Sequence, residues 1–387
     1  MFPKFKKKLV KKIISRCTFG NIKVIFPDKT FVACGNNNNK QIIFEIFDWS
    51  VISNMATQGD VGLAKDYRDG KWVTNDLKNL IIFAINNENV LSEVMFSNSF
   101  FTYLLKLQYF FKKNSIKQAK KNIADHYDIS NDFYKIWLDN TMTYSSGIYD
   151  TKNTTLEQAQ INKYQKILNN FEDSKKDKVL EIGCGWGGFF SYSSNFFKEI
   201  DSITISKEQF NYSSSISEKI DNVNVGYLDY RDVKGKYDLI VSIEMFEAVG
   251  QGYWDTYFKK VNDLLVKGGK AVIQTITIRD DLFDNYSSNT DAIRSLIFPG
   301  GMLPSPSKFI RYAQDNGLKV INKISFGKSY SKTLDEWHKR FKENINIIKN
   351  QSLDDRFIRL WEYYLLSCSA GFESNRTDVY QFTLEKE

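Results

Sequence analysis

The chain has 387 residues, with 42% hydrophobic residues and a net charge of +7, which is enough for about two domains and suits an anionic partner. Its four cysteines (Cys17, Cys34, Cys184, Cys368) are widely spaced and its only histidines are His126 and His338. This excludes a Cys-x-x-Cys centre, argues against a histidine zinc site or serine triad, and fits a reducing compartment. No run of about 18 apolar residues is present to cross a bilayer.

In chain order, lysines interleaved with Phe5, Leu9, Val10, Ile13 and Ile14 predict a short basic amphipathic helix. It either lies on an anionic membrane or packs on its own domain, and no apolar core of a secretory signal follows it. Residues 22–26 and 41–47 read as strands, separated by a Gly35–Asn39 turn with an exposed asparagine tip. Residues 59–70 read as a helix closed by Gly70, and Asn75 or Asp76 as the cap of a helix through Ile85. This is a small α+β unit. The polar, basic stretch 112–122 reads as a linker. Strands follow at 179–182, 200–205, 223–227, 237–243 and 270–276, the last after a turn at Lys267–Gly269. Helical segments between them imply a doubly wound, mostly parallel α/β sheet that binds ligands at the carboxyl ends of its strands. Residues 284–345, with Phe298–Ser305, read as an insertion covering that edge. The expected domains are 1–112, a linker at 113–122, and 123–387.

The most informative stretch is Val179–Gly188, an apolar strand running into Gly183, Gly185, Gly187 and Gly188 and then a helix start. Glycines there let the backbone approach a ligand, and Glu181 offers a carboxylate. Gly183, Gly185 and Gly188 also satisfy G-x-G-x-x-G, so the loop alone leaves a dinucleotide open; its E-x-G-x-G-x-G form resembles the first motif of S-adenosylmethionine-dependent methyltransferases. Thr204, Ser206 and Gln209 after the second strand suit a ribose, and Asp229 with Tyr230 after the third suits an adenine. Read singly, each is an ordinary loop residue; their joint placement after successive strands is what points to a nucleoside. After the fourth strand come Glu244 and Glu247, of which Glu247 is expected to point into the pocket, where it stabilises a cation or positions a base. The high aromatic content, 30 Phe and 21 Tyr, fits either a packed core or an apolar channel.

These motifs, with Tyr67–Trp72, His126–Asp128, Asn131–Asp132, Met142–Ser145, Phe298–Ser305, Phe326–Tyr330 and Tyr363–Leu366 in order, resemble the cyclopropane-fatty-acyl-phospholipid and mycolic acid cyclopropane synthases over roughly residues 55–385. The resemblance implies a Rossmann-like class I methyltransferase sheet with a helical lid insertion, and a small α+β N-terminal lipid-binding domain. It implies S-adenosylmethionine as cofactor, held by Tyr144, Ser145, Gly183, Gly185, Thr204, Gln209, Asp229 and Tyr230, and no metal. The implied reaction is cyclopropanation of an unsaturated phospholipid acyl chain through a carbocation. A bicarbonate held by Ser146, Glu247, Gln274, Ile276 and Tyr330 would deprotonate it. Three of the family's usual residues differ. Its cysteine is Ser146, one histidine is Gln274 and another is Ala248. Ser146 and Gln274 still offer hydrogen bonds to an anion, but loss of bicarbonate would redirect the cation to a methyl- or methylene-branched chain. The implied partners are a phospholipid membrane surface, a second copy in a homodimer and, for a methylene product, a reductase. The implied location is cytoplasmic, on the inner face of the membrane. Nucleic acid is not an expected partner. A small-molecule N-methyltransferase and a non-catalytic lipid-binding protein remain as alternatives.

Overall fold

The computed structural model describes residues 3–35, 40–95, 130–171 and 178–387. The asparagine tip, the linker at 113–122 and His126–Asp128 lie outside them. The chain forms two compact units, and neither is one continuous stretch.

The first unit comprises Met1–Phe111, Tyr286–Pro299 and Lys342–Asn375. Its sheet, ordered β2-β1-β3-β4, is built from β1 (Ile22–Ile25), β2 (Phe31–Cys34), β3 (Ile42–Ile46) and β4 (Trp72–Thr74). β1 runs antiparallel to β2 and parallel to β3, and β4 is antiparallel to β3. Alternating apolar positions bury one face, with Ile22, Val24, Ile42, Phe44 and Ile46 in the core. The helix expected at 59–70 begins earlier, at Ser50, and kinks at Gly59, whose φ of 60° only glycine adopts freely. Asp76 caps the helix Leu77–Asn86 by accepting from the Asn79 amide at 3.1 Å. The N-terminal helix Pro3–Ile14 packs on its own unit. Val10 and Ile14 join the core, Ile13 is buried, and Lys6 Nζ donates to the Trp49 carbonyl at 2.8 Å. Lys4, Lys8, Lys11 and Lys12 remain exposed.

Residues 123–387 are expected as one domain, but 286–299 and 342–375 cluster with the first unit. The reason is apolar. Ala292, Tyr363 and Leu366 complete the core around Tyr67, Trp72 and Leu80, and the Ala292 amide donates to Asp60 at 2.9 Å.

The second unit carries β5 (Lys178–Ile182), β6 (Glu199–Thr204), β7 (Val223–Tyr227), β8 (Tyr237–Ile243), β9 (Leu265–Ile278), β10 (Leu318–Ser325) and β11 (Thr377–Lys386), in the order β10-β11-β9-β8-β5-β6-β7. β5 to β9 are mutually parallel, whereas β11 and β10 close the sheet antiparallel. The order reverses between β5 and β8, the switch point at whose carboxyl end open α/β sheets bind their ligands. The turn expected at Lys267–Gly269 is instead an irregularity inside a longer β9, where the β8–β9 register slips between Tyr237 and Leu239. The stretch read as an insertion supplies β10 as well as the helices Pro306–Asp315 and Gly327–Glu343.

Candidate active site

The site is built at the carboxyl ends of β5, β6, β8 and β9. After β5 the backbone turns through Gly183 (φ 85°) and Gly185 (φ 54°). A side chain on Gly183 would meet Met245 at 2.9 Å, whereas the space beside Gly185 is open to 4 Å. The loop therefore offers bare backbone to a ligand, as a nucleoside cofactor needs. Glu181, by contrast, is turned inward. It is buried, accepts from Ser202 Oγ on β6 at 2.7 Å, and burial pushes its carboxyl up to about 7.

At the end of β6, Thr204 Oγ1 donates to Gln209 Oε1 at 2.9 Å, and Ser206 caps the following helix through the Gln209 amide. Beyond β7, the Asp229 carboxylate accepts from Arg231 Nε at 2.8 Å and from its Nη2 at 2.7 Å, and Tyr230 is buried beside it. Tyr144 sits in an aromatic cluster, 5.5 Å from Tyr134 and Trp137 and 5.4 Å from Trp337 between ring centres. Ser145, next in sequence, is buried and accepts from Lys163 Nζ at 2.7 Å.

Three of the five residues expected to cradle bicarbonate, Ser146, Gln274 and Tyr330, converge on a carboxylate of the chain itself, while Glu247 and Ile276 pair with each other. The Ser146 amide donates to Glu244 Oε1 at 2.9 Å, Gln274 Nε2 donates to the same oxygen at 2.7 Å, and the Tyr330 hydroxyl donates to Oε2 at 2.5 Å. Ser146 thus acts through its backbone, and its hydroxyl donates to the Gly147 carbonyl. Gln274 is itself oriented by Gln381, whose Nε2 donates to Gln274 Oε1 at 3.0 Å. These three donors all point at Glu244.

Glu247 is held separately. Its Oε1 accepts from the Ile276 amide at 2.5 Å, while Oε2 is buried and without a hydrogen bond. Burial, and then the neighbouring Glu244 charge, push its carboxyl up to about 8. Burial also raises Glu244, opposed by its hydrogen bond from Tyr330 and by the charge of Lys163. The two carboxyls differ in their partners: three donors and the charge of Lys163 favour the ionised form of Glu244, whereas Glu247 accepts one hydrogen bond and buries a bare oxygen. Glu244 has φ 51°, a left-handed conformation costing a non-glycine residue about 1–2 kcal/mol. Such strain persists where the surroundings fix it, commonly at functional sites.

Glu244 and Glu247 stand three apart in the sequence, where only Glu247 is expected in the pocket and nothing singles out Lys163. The available signal was joint. Ser146 and Gln274 replace the family's usual cysteine and histidine in the same chain that places a carboxylate at 244.

A doubly wound sheet with a glycine loop after its first strand and carboxylates adjoining it is the fold of a S-adenosylmethionine-dependent methyltransferase. The chain belongs to the mycolic acid cyclopropane synthetase family, whose pattern matches residues 114–382. It is 30% identical over 378 residues to the tuberculostearic acid methyltransferase of Mycobacterium tuberculosis, covering 95% of this chain and 88% of that protein. It is 31% identical over 334 residues to the cyclopropane-fatty-acyl-phospholipid synthase of Escherichia coli K12, covering 85% and 84%. A crystal structure of a mycolic acid cyclopropane synthase complexed with SAH and CTAB superimposes with a TM-score of 0.63 at 30% identity, covering 69% of this chain and 98% of that one.

Proposed function

We propose that the protein methylates the double bond of an unsaturated phospholipid acyl chain and that Glu244, in place of bicarbonate, accepts the proton released. S-adenosylmethionine supplies an electrophilic methyl group. The residues to hold it are those at the switch point: the bare backbone of Gly183 and Gly185, Thr204 with Gln209, Asp229 with Tyr230, and Tyr144 with Ser145.

When the π electrons of the alkene form the new C–C bond, a carbocation is left on the acyl chain. Neutrality returns when a base removes a proton. The buried aromatic cluster of Tyr134, Trp137 and Trp337 around Tyr144 supplies the dry, π-rich surroundings that such a cation needs. Glu244, ionised and fixed by three donors, is the acceptor. The observation that carries this reading is the filling of the expected anion cradle by Glu244.

The three donors make Glu244 a weaker base than the same buried carboxylate would be without them. The cation then has time for a hydride to migrate from the methyl-bearing carbon before a methyl proton is lost to Glu244. That order gives a methylene-branched chain, whereas immediate loss of the methyl proton closes a cyclopropane. The similarity to a tuberculostearic acid methyltransferase over nearly the whole chain favours the branch; the family as a whole favours the ring. Reaching a saturated methyl branch would require a reductase.

The test uses purified protein, methyl-deuterated S-adenosylmethionine and vesicles of monounsaturated phospholipid, with mass spectrometry of the acyl chains in carbonate-free buffer. Turnover independent of added bicarbonate, lost by about 100-fold or more in Glu244→Gln and giving a readily hydrogenated product, is the expected result. Strict dependence on bicarbonate would remove Glu244 as the base. A product resistant to mild hydrogenation would restore the ring.

A further inference from the structure

Lys163 is a buried ammonium to which the chemistry above gives no part. It lies on the helix Leu156–Leu168, three residues after Gln160, and neither residue exposes any surface. Lys163 Nζ donates to Ser145 Oγ at 2.7 Å, and Gln160 Nε2 donates to the Ser145 carbonyl at 2.9 Å. One helix therefore grips Ser145 by its side chain and its backbone, and the next amide, that of Ser146, is a donor to Glu244. A second route leads the same way. Gln381 Nε2 reaches the Lys163 carbonyl at 3.4 Å and Gln274 Oε1 at 3.0 Å, and Gln274 also donates to Glu244.

The charged and titratable groups acting on Lys163 are few. Tyr164 on its own helix places its ring centre 4.8 Å from Nζ, and the charges of Glu244 and Asp139 come from the neighbouring segments. Burial pushes the ammonium down to about 7, while those two carboxylates pull it back up. Burying a lysine is costly unless its charge is used, and a methionine would fill a similar volume.

We propose that Lys163 is a positioning residue for the reaction, its buried charge keeping Glu244 ionised and its grip on Ser145 fixing the amide that Glu244 accepts from. This rests on the reading of Glu244 as the proton acceptor.

The experiment compares the pH dependence of kcat for the wild type, Lys163→Gln, Lys163→Met and Glu244→Gln on phospholipid vesicles. Lys163→Gln keeps a donor for Ser145 but drops the charge. Removing a positive neighbour makes Glu244 harder to ionise, so the acidic limb moves to higher pH. The expected shift in both Lys163 variants is about one pH unit or more, with the KM for S-adenosylmethionine of Lys163→Gln within about twofold of wild type and its rate recovering at high pH. An unshifted limb in Lys163→Gln overturns the inference. Full activity in Glu244→Gln instead overturns the reading of Glu244, so the two failures are separable. Should the Lys163 variants be too unstable to assay, thermal melts of Lys163→Met, Glu244→Gln and the double variant decide. A coupled pair makes the double variant no less stable than its weaker parent, and additive losses overturn the coupling.

Discussion

Glu181 shows how far a side chain's neighbourhood decides its role. It stands just before the glycine loop, where a sequence reading offers it to the cofactor, yet the pleat of β5 turns it into the sheet against Ser202. Its carboxyl rises from 4.5 to about 7 on burial, so the folded state prefers it protonated. The stability this gives is complete below pH 4.5 and is lost as pH rises toward 7. Glu181→Gln is then expected to match the wild type near pH 4.5 and to exceed it above pH 7 by about 3 kcal/mol, read from thermal melts across that range. A constant difference would mean that Glu181 ionises as freely inside as outside. Glu244 teaches the converse. Its partners Ser146, Gln274 and Tyr330 could be named from the sequence, but what they hold could not. The answer depends on a left-handed backbone at 244 and on the Ser146 amide rather than its side chain.

At the scale of elements, β5 and β8 are legible as apolar runs and β6 and β7 as shorter stretches of mixed apolar and polar residues bounded by loops, and their order follows from the alternation with helices. β10 and β11 are not. They are antiparallel, and β10 is rich in lysine and polar residues, so no apolar run marks it. The helix Pro3–Ile14 was legible as a helix but not in its orientation. Val10 and Ile14 are spent on the core, which leaves Phe5 and the lysines exposed on its outer side. We expect Lys8→Gln, Lys11→Gln and Lys12→Gln together to weaken sedimentation with anionic vesicles by up to ~100-fold, at about 1 kcal/mol per lysine. The melting temperature should hardly change, since all three are exposed. Undiminished sedimentation would place the lipid contact elsewhere. Among the described residues no helix is long and apolar enough to cross a membrane.

For the molecule as a whole, the parallel sheet and its ligand-binding edge could be read from the chain, while the division into units could not. Sequence reading divides a chain by position, and the first unit is divided by burial. Tyr363 and Leu366, on the helix Asp355–Glu373, sit in one core with Trp72, Leu77 and Leu80, and nothing local to either segment announces the partner. A fragment of residues 1–111 is therefore expected to lack part of its own interior. Its sheet should show shallow, non-cooperative melting and recover a sharp transition only in the full chain; a cooperative melt of the fragment alone would show that the later segments are dispensable. The same arrangement sets an order of events during synthesis. The strands that leave the ribosome first must wait, with apolar surface uncovered, until the helix at 355–373 has been made. The second unit, whose parallel strands lie close together in the chain, can assemble most of its sheet in the interval. What emerges first is thus finished late, and it is the early, waiting segment that most needs protection from aggregation.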